Sequence, residues 1–248
     1  HSLLALLTGG IAWLIREEAH KHARSLVVLA VLCRLVLLGV SPFTTHDVHR
    51  YTWDGRVALS GEDPYQVSPD SMDAKELIAE GWYVAPEHRA YPTISPPLAI
   101  GLFSLSALGG PVIAMWIWKL LVTFASIATV ILLWRLCVMR GLERYLVWIA
   151  LHPLGLLEAG VGAHLDTLVA FGVTCALVGW ASGRAYLFGA GLGLGVALKL
   201  SPAVMLAGVL RERGLRQVLI GAAMVVLATY GVALAMGWLP LGSLPAFA

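Results

Sequence analysis

The stretch "TTHDVHRYTWDGRVALSGEDPY", residues 44–65, holds two histidines, two arginines, four acids and three aromatics within a chain that is otherwise greasy. Its first half, "DVHRYTWD", reads as a helix that Gly61 and "EDPY" bring to an end. Asp47, Tyr51 and Asp54 then fall at i, i+4 and i+7 on one face, with Arg50 alongside. Two carboxylates, a phenol and a guanidinium on one face could handle a sugar hydroxyl and a charged leaving group. A solvated amphipathic helix, its Tyr51 and Trp53 in the interfacial aromatic belt, fits the same pattern.

Three further groups could join that face. "VGAHLD" places His164 and Asp166 at the start of an apolar run, where an acid also suits a helix N-terminus. Lys199 in "GVALKLSPA" sits among apolar residues just before a Ser-Pro break. An ionisable group there is expensive and marks function by default, and an ammonium at a membrane boundary suits a lipid phosphate. Snorkelling to the headgroups is the alternative. Arg34 and Lys119 also lie within apolar runs, and the reading for both is structural pairing; Glu158 lies near one. His46, His49, His164 and Asp166 could be imagined around a metal, but their spacing matches no specific metal motif, so none is assigned.

The elements that position these groups are membrane helices. The chain has 248 residues, 58% hydrophobic and 13% charged, whereas soluble domains carry about 25% charge. The net charge of +2 gives no reason to expect a nucleic-acid partner. Cys33, Cys137 and Cys175 lie singly in apolar runs, as small buried hydrophobes do. Spans need roughly 20 apolar residues. Apolar runs occupy Ser2–Ile15, Leu26–Val40, Val112–Leu136, Tyr145–Leu157, Thr167–Ala181, Ala185–Leu198, Ala203–Leu210 and Val218–Trp238. Residues 41–95 form a large polar loop and 96–109 a juxtamembrane helix opened by "SPPLAIGLF".

Basic residues orient this bundle. Arg16, Lys21, Arg24, Arg135, Arg140, Arg144, Arg184, Arg211, Arg213 and Arg216 all fall in loops of one side if 96–109 does not cross. The positive-inside rule makes that side cytoplasmic. The large loop, "AHLD" and "KLSP" then share the opposite face. The expected fold is all-α: one polytopic transmembrane helix bundle over 1–248, with a large non-cytoplasmic first loop and a bundle over 112–238.

Four segments in order, "HDVHRYTWDGRVALSGEDPYQVSPD", "YPTISPPLAIGLF", "HPLGLLEAGVGAHLDTLVAFG" and "GLGLGVALKLSPAVML", resemble the GT-C superfold of membrane glycosyltransferases. Within it the chain resembles the polyprenol-phosphate-mannose-dependent mannosyltransferases related to those of actinobacterial lipomannan assembly. The resemblance implies an inverting transfer of a hexose, mannose in this branch, from a polyprenyl-phosphate donor to a glycolipid or glycan acceptor. It implies a multi-pass protein of a bacterial plasma membrane, with the site on the non-cytoplasmic face. Asp47 matches the general base, Lys199 the phosphate-binding cation, Arg50 and Arg56 helpers, and His164 and Asp166 sugar or acceptor contacts. No cofactor follows from it; a divalent metal is the one group held open. Family members carry further spans beyond Trp238, so a fragment, a truncated gene product and a degenerate relative are the readings open for the chain. The rival class is a polytopic transporter or a non-catalytic lipid-handling subunit, but only one broken helix and no internal repeat are evident.

Overall fold

The computed structural model describes residues 10, 18, 21–71, 75–209, 214–240 and 242–243. The expected first span, Ser2–Ile15, lies outside these residues, as do Arg16, Arg211 and Arg213. Among the described residues the protein is all-α, with no strand. In chain order the helices are α1 (Ala23–Leu38), α2 (Asp47–Leu59), α3 (Lys75–Ala79), α4 (Pro97–Ala107), α5 (Gly110–Arg140), α6 (Leu146–Ala150) and α7 (Pro153–Gly160). Then follow α8 (Asp166–Ala181), α9 (Ala185–Leu198), α10 (Leu206–Val209) and α11 (Leu215–Ala235).

Helices α5 and α11 are long and apolar enough to cross a bilayer, and α4, α8 and α9 are shorter apolar helices. At a rise of ~1.5 Å per residue, α5 is about 46 Å long, more than a hydrocarbon core of about 30 Å. Large apolar side chains stay exposed along α1, α5 and α11, among them Val36, Phe124 and Leu227. Outward apolar faces of this extent are what lipid covers.

One expected span is not a single helix. Over 145–157 the chain forms α6, breaks at Leu151 and His152, and restarts as α7. Pro153 supplies the reason: it has no N–H for the preceding turn but suits the first turn of a new helix. The run 203–210 is likewise divided, into a 3-10 turn over Ser201–Met205 and the single turn of α10.

Glycines set the tightest contacts. Helix α9 reads "AYLFGAGLGLGVAL", and its glycines alternate between two neighbours. A Cβ on Gly191 would strike Ala176 of α8, and one on Gly172 would come within 2.8 Å of Gly195 N. On the other side Gly189 abuts Val218, and a Cβ on Gly193 would meet Ala222 O of α11 at 2.6 Å. Both pairs, 189/193 and 191/195, have the four-residue spacing that lets membrane helices approach backbone to backbone. Gly55 does the same for α2 against the Phe103 backbone of α4, which seats the site helix on the bundle.

The basic turns and the polar loop lie at opposite ends of the bundle. Near one end of α5, Trp118 donates its Nε1 to Ala163 O at 2.7 Å, and Lys119 donates to Leu37 O and Val40 O. At its other end Arg140 reaches Ala181 O at 3.3 Å and stacks over Trp180. Arg34 and Lys119 are structural donors, as expected of them: Arg34 bonds Ser126, Ala30 O and Ala150 O.

Candidate functional site

The expected helix over "DVHRYTWD" is α2, and its polar face lines a cleft of ≈ 280 Å³. Asp47, Arg50, Tyr51 and Asp54 all contribute to the wall, as the i, i+4, i+7 spacing predicts. Residues 87–95 of the large loop close the opposite side. Apolar anchors hold α2 in place: Val48 and Trp53 are fully buried, and Tyr51 stacks on Phe103 with centroids 4.7 Å apart.

Asp47 sits between two imidazoles. Its Oδ2 lies 3.2 Å from His164 Nδ1 and its Oδ1 3.4 Å from His88 Nε2. His164 continues the chain, its Nε2 lying 3.1 Å from Glu158 Oε2. Local backbone geometry aims this ring. Ala163 is the one non-glycine residue at positive φ among the described residues, at 47°, a conformation that costs of order 1–3 kcal/mol. The Trp118 bond to its carbonyl holds it there, and His164 N donates back to Glu158 O at 3.0 Å.

Electrostatics follow from these contacts. The hydrogen bond from His164 holds the Asp47 carboxyl below the usual carboxylate range, overcoming the upward push of burial. The same bond raises the His164 imidazole above its ordinary value, with Glu158 adding to the shift. At neutral pH Asp47 is thus a carboxylate with 31% of its side chain exposed to the cleft. It can accept a proton.

Arg50 and Asp54 form the floor. Arg50 Nε donates to Asp54 Oδ1 at 2.8 Å, and its Nη1 donates to His88 O. Burial pushes the Asp54 carboxyl up, opposed by Arg50 and Thr93. Through this strut Arg50 ties the 88–93 loop to α2 and thereby sets His88 against Asp47. Burial, then the nearby Asp47, pushes the Tyr51 phenol upward, so it stays protonated as a donor.

Two expected site residues stand apart from this cleft. Arg56 is nine residues from Asp47, which at about 100° per residue puts it on the far side of α2. There it forms a two-pronged pair with Glu80, both contacts 2.9 Å. Lys199 Nζ lies 2.7 and 2.9 Å from the two oxygens of Asp166. Asp166 lines a second cleft, of ≈ 240 Å³, together with Glu158, Arg34 and Thr167. His164 therefore stands between the two clefts, bonded to one residue of each.

His88, Glu158, Thr93 and Glu87 were not singled out as site residues by sequence pattern. His88 lies in "PEHRAYPT" with no periodic partner, and Glu158 reads only as an acid near a span. Of the histidines considered for a metal, His46 pairs with Glu87 at 2.7 Å and His49 packs edge-on against Tyr83. Among the described residues no three His, Cys, Asp or Glu side chains are arranged to hold a metal ion.

A family model described as "Alpha-(1->6)-mannopyranosyltransferase, N-terminal domain" matches residues 2–241. No curated protein and no solved structure gives a significant match.

Proposed function

The chain belongs to the alpha-(1->6)-mannopyranosyltransferase family, whose N-terminal domain it matches, and we propose that it works as an inverting glycosyltransferase of the GT-C type. It moves mannose from a polyprenyl-phosphate donor to a hydroxyl of a glycolipid or glycan. The observation that carries this reading is Asp47: a carboxylate open to a cleft and kept ionised by His164.

In the reaction the acceptor oxygen attacks the anomeric carbon while its proton passes to Asp47. The bond from that carbon to the phosphate oxygen breaks, and the electron pair leaves with the lipid phosphate. One displacement inverts the anomeric centre. A base of low pKa suits a late proton transfer, taken from an acceptor oxygen that turns acidic as it bonds to the oxocarbenium-like carbon. Tyr51, Arg50 and Asp54 offer donors and acceptors to sugar hydroxyls along the same wall. Lys199 exchanges Asp166 for the departing phosphate, a fixed cation where negative charge builds.

Charge placement supports a site facing away from the cytoplasm. Lys21, Arg24, Arg140, Arg144, Arg184 and Arg216 belong to the end of the bundle opposite Asp47, so the positive-inside rule puts the 41–95 loop outside. We read the chain as a multi-pass protein on this charge pattern, and the family resemblance suggests a bacterial plasma membrane. The donor fits that face: the sequence has neither a glycine-rich phosphate loop nor a DxD triplet for a nucleotide sugar.

The test is transfer of labelled mannose in membranes containing the chain, offered either a polyprenyl-phosphate mannose or a nucleotide mannose. Transfer from the lipid donor alone, to give an α-(1→6) product, is the expected result. Direct use of the nucleotide donor, or a 41–95 loop labelled only from the cytoplasm, overturns the reading.

A further inference from the structure

Arg34 interrupts the aliphatic run "AVLCRLVLL" of α1, and a guanidinium at such a position is costly. It is 4% exposed. Nε donates to Ser126 Oγ at 2.7 Å, and Nη1 donates to Ala30 O and Ala150 O, each at 2.9 Å. The Ala150 carbonyl needs this donor because α6 ends there, ahead of Pro153. A guanidinium has five N–H groups, and Nη2 has no partner among the described residues. No described carboxylate lies within ion-pair distance of it either. Among the described residues Arg34 is thus a buried cation with spare donors and no counterion.

It lines the second cleft. The two acids at the rim are engaged elsewhere, Glu158 with His164 and Asp166 with Lys199. The cleft runs between α1, α5, α6, α7 and α8, and its α5 wall, Ser126 to Val130, lies midway along that 31-residue helix. At that depth the surrounding medium is hydrocarbon. An anion reaching Arg34 from there must arrive on an apolar chain.

We propose that this second cleft is the docking site for a prenyl-phosphate lipid, with Arg34 inside and Lys199 at the rim as the two cations that receive the phosphate. The inference rests on the donor class proposed above. At ≈ 240 Å³ the cleft lies below the ~300–1,000 Å³ of pockets that enclose whole ligands. It takes the phosphate and the first isoprene units, leaving the rest of the chain in the bilayer. The first cleft is then left for the acceptor. Asp47, His164 and Glu158 form the partition across which donor and acceptor meet.

Binding, not turnover, tests this. The full chain is placed in nanodiscs of zwitterionic lipid and titrated with polyprenyl phosphate, free polyprenol or phosphatidic acid, with bound lipid read by native mass spectrometry. Polyprenyl phosphate is expected to bind about tenfold or more tightly than either competitor. Gly155→Trp and Ala170→Trp fill the cleft: a Cβ on Gly155 meets nothing within 4 Å, and Ala170 is exposed. Both should lose about tenfold in affinity, and Arg34→Gln should abolish the preference for phosphate over alcohol. Parent-like binding by the two Trp variants, or by a folded Arg34→Gln, overturns the proposal. So does equal binding of phosphatidic acid, which marks a general anionic-lipid contact. Should Arg34→Gln fail to fold, the Trp variants decide. Asp47→Asn must bind the lipid as the parent does. If that variant also transfers mannose normally, the base assignment fails while the docking site stands.

Discussion

Two regions of this protein are held together by different means. Around Asp47, contacts between distant segments run through side chains: Asp47–His164–Glu158, Arg50 bridging Asp54 and His88 O, Trp118 on Ala163 O. In the trio of α8, α9 and α11, contacts run backbone against backbone through Gly172, Gly189, Gly191, Gly193 and Gly195. The first region answers to charge and to pH. The second has no titratable group at its contacts and answers to volume alone. The wet, polar face of the site is joined by side chains, while Gly55 on the dry face of α2 seats it on the frame.

The largest effect that separates the two is on chemistry. Asp47→Asn should lower mannosyl transfer by about 10²–10⁴-fold, the range for losing a general base, with thermal stability close to the parent's. A variant that transfers normally removes the assigned base. Next in size is Gly191→Leu, which forces a side chain into Ala176 of α8. Overpacking of this kind costs about 1–3 kcal/mol or more, read as a lower melting temperature in detergent. Because the site is untouched, the fraction still folded should transfer at the parent's specific rate. A parent-like melting temperature would show that the trio is looser than its geometry.

Smaller effects sharpen the boundary. Lys199→Ala should reduce kcat/KM for the lipid donor about tenfold, and Lys199→Arg should restore part of it. Unchanged kinetics in Lys199→Ala would remove it from the site. The pH dependence follows from the two shifts. Asp47, depressed by its bond to His164, contributes stability above the ordinary carboxylate range, lost as pH falls through its lowered value. His164, raised by that bond, contributes below the ordinary imidazole range, lost as pH rises through its raised value. The pair is intact between those limits, and transfer should fall on both sides. Glu158→Gln should move the alkaline limb of kcat/KM to lower pH and leave the acid limb in place. An unmoved alkaline limb would take His164 out of that profile. Arg56→Ala, on the far face of α2, should keep transfer within about twofold of the parent, as partly exposed ion pairs usually do.

The helical face of α2 was legible because periodicity is a local property: Asp47, Tyr51 and Asp54 announce their shared side by spacing alone. The same arithmetic excludes Arg56 from that side, and the resemblance to a family motif outweighed it. His88 and Glu158 were illegible for the opposite reason. His88 meets Asp47, distant in the chain, through the Arg50 strut, and Glu158 meets the nearby His164 only through the α7–α8 corner, which no regular spacing announces. Hydropathy located the membrane-facing runs but merged α6 with α7, since a window average is blind to the missing N–H of Pro153. Arg34 and Lys119 were recognised as structural from their isolation in apolar runs. What isolation could not reveal is that Arg34 has donors to spare among the described residues.

The bond from Trp118 to Ala163 also bears on how the protein is made. A chain is synthesised from its N-terminus, and early segments fold or insert first. Asp47 and α2 emerge well before Ala163, so the carboxylate spends the early part of biogenesis without His164 beside it. The Trp118 bond to Ala163 O, and with it the placement of His164 against Asp47, requires that later segment. The reactive centre is thus completed well after its base has emerged, and a nascent chain arrested before Ala163 carries the base but not the group that tunes it.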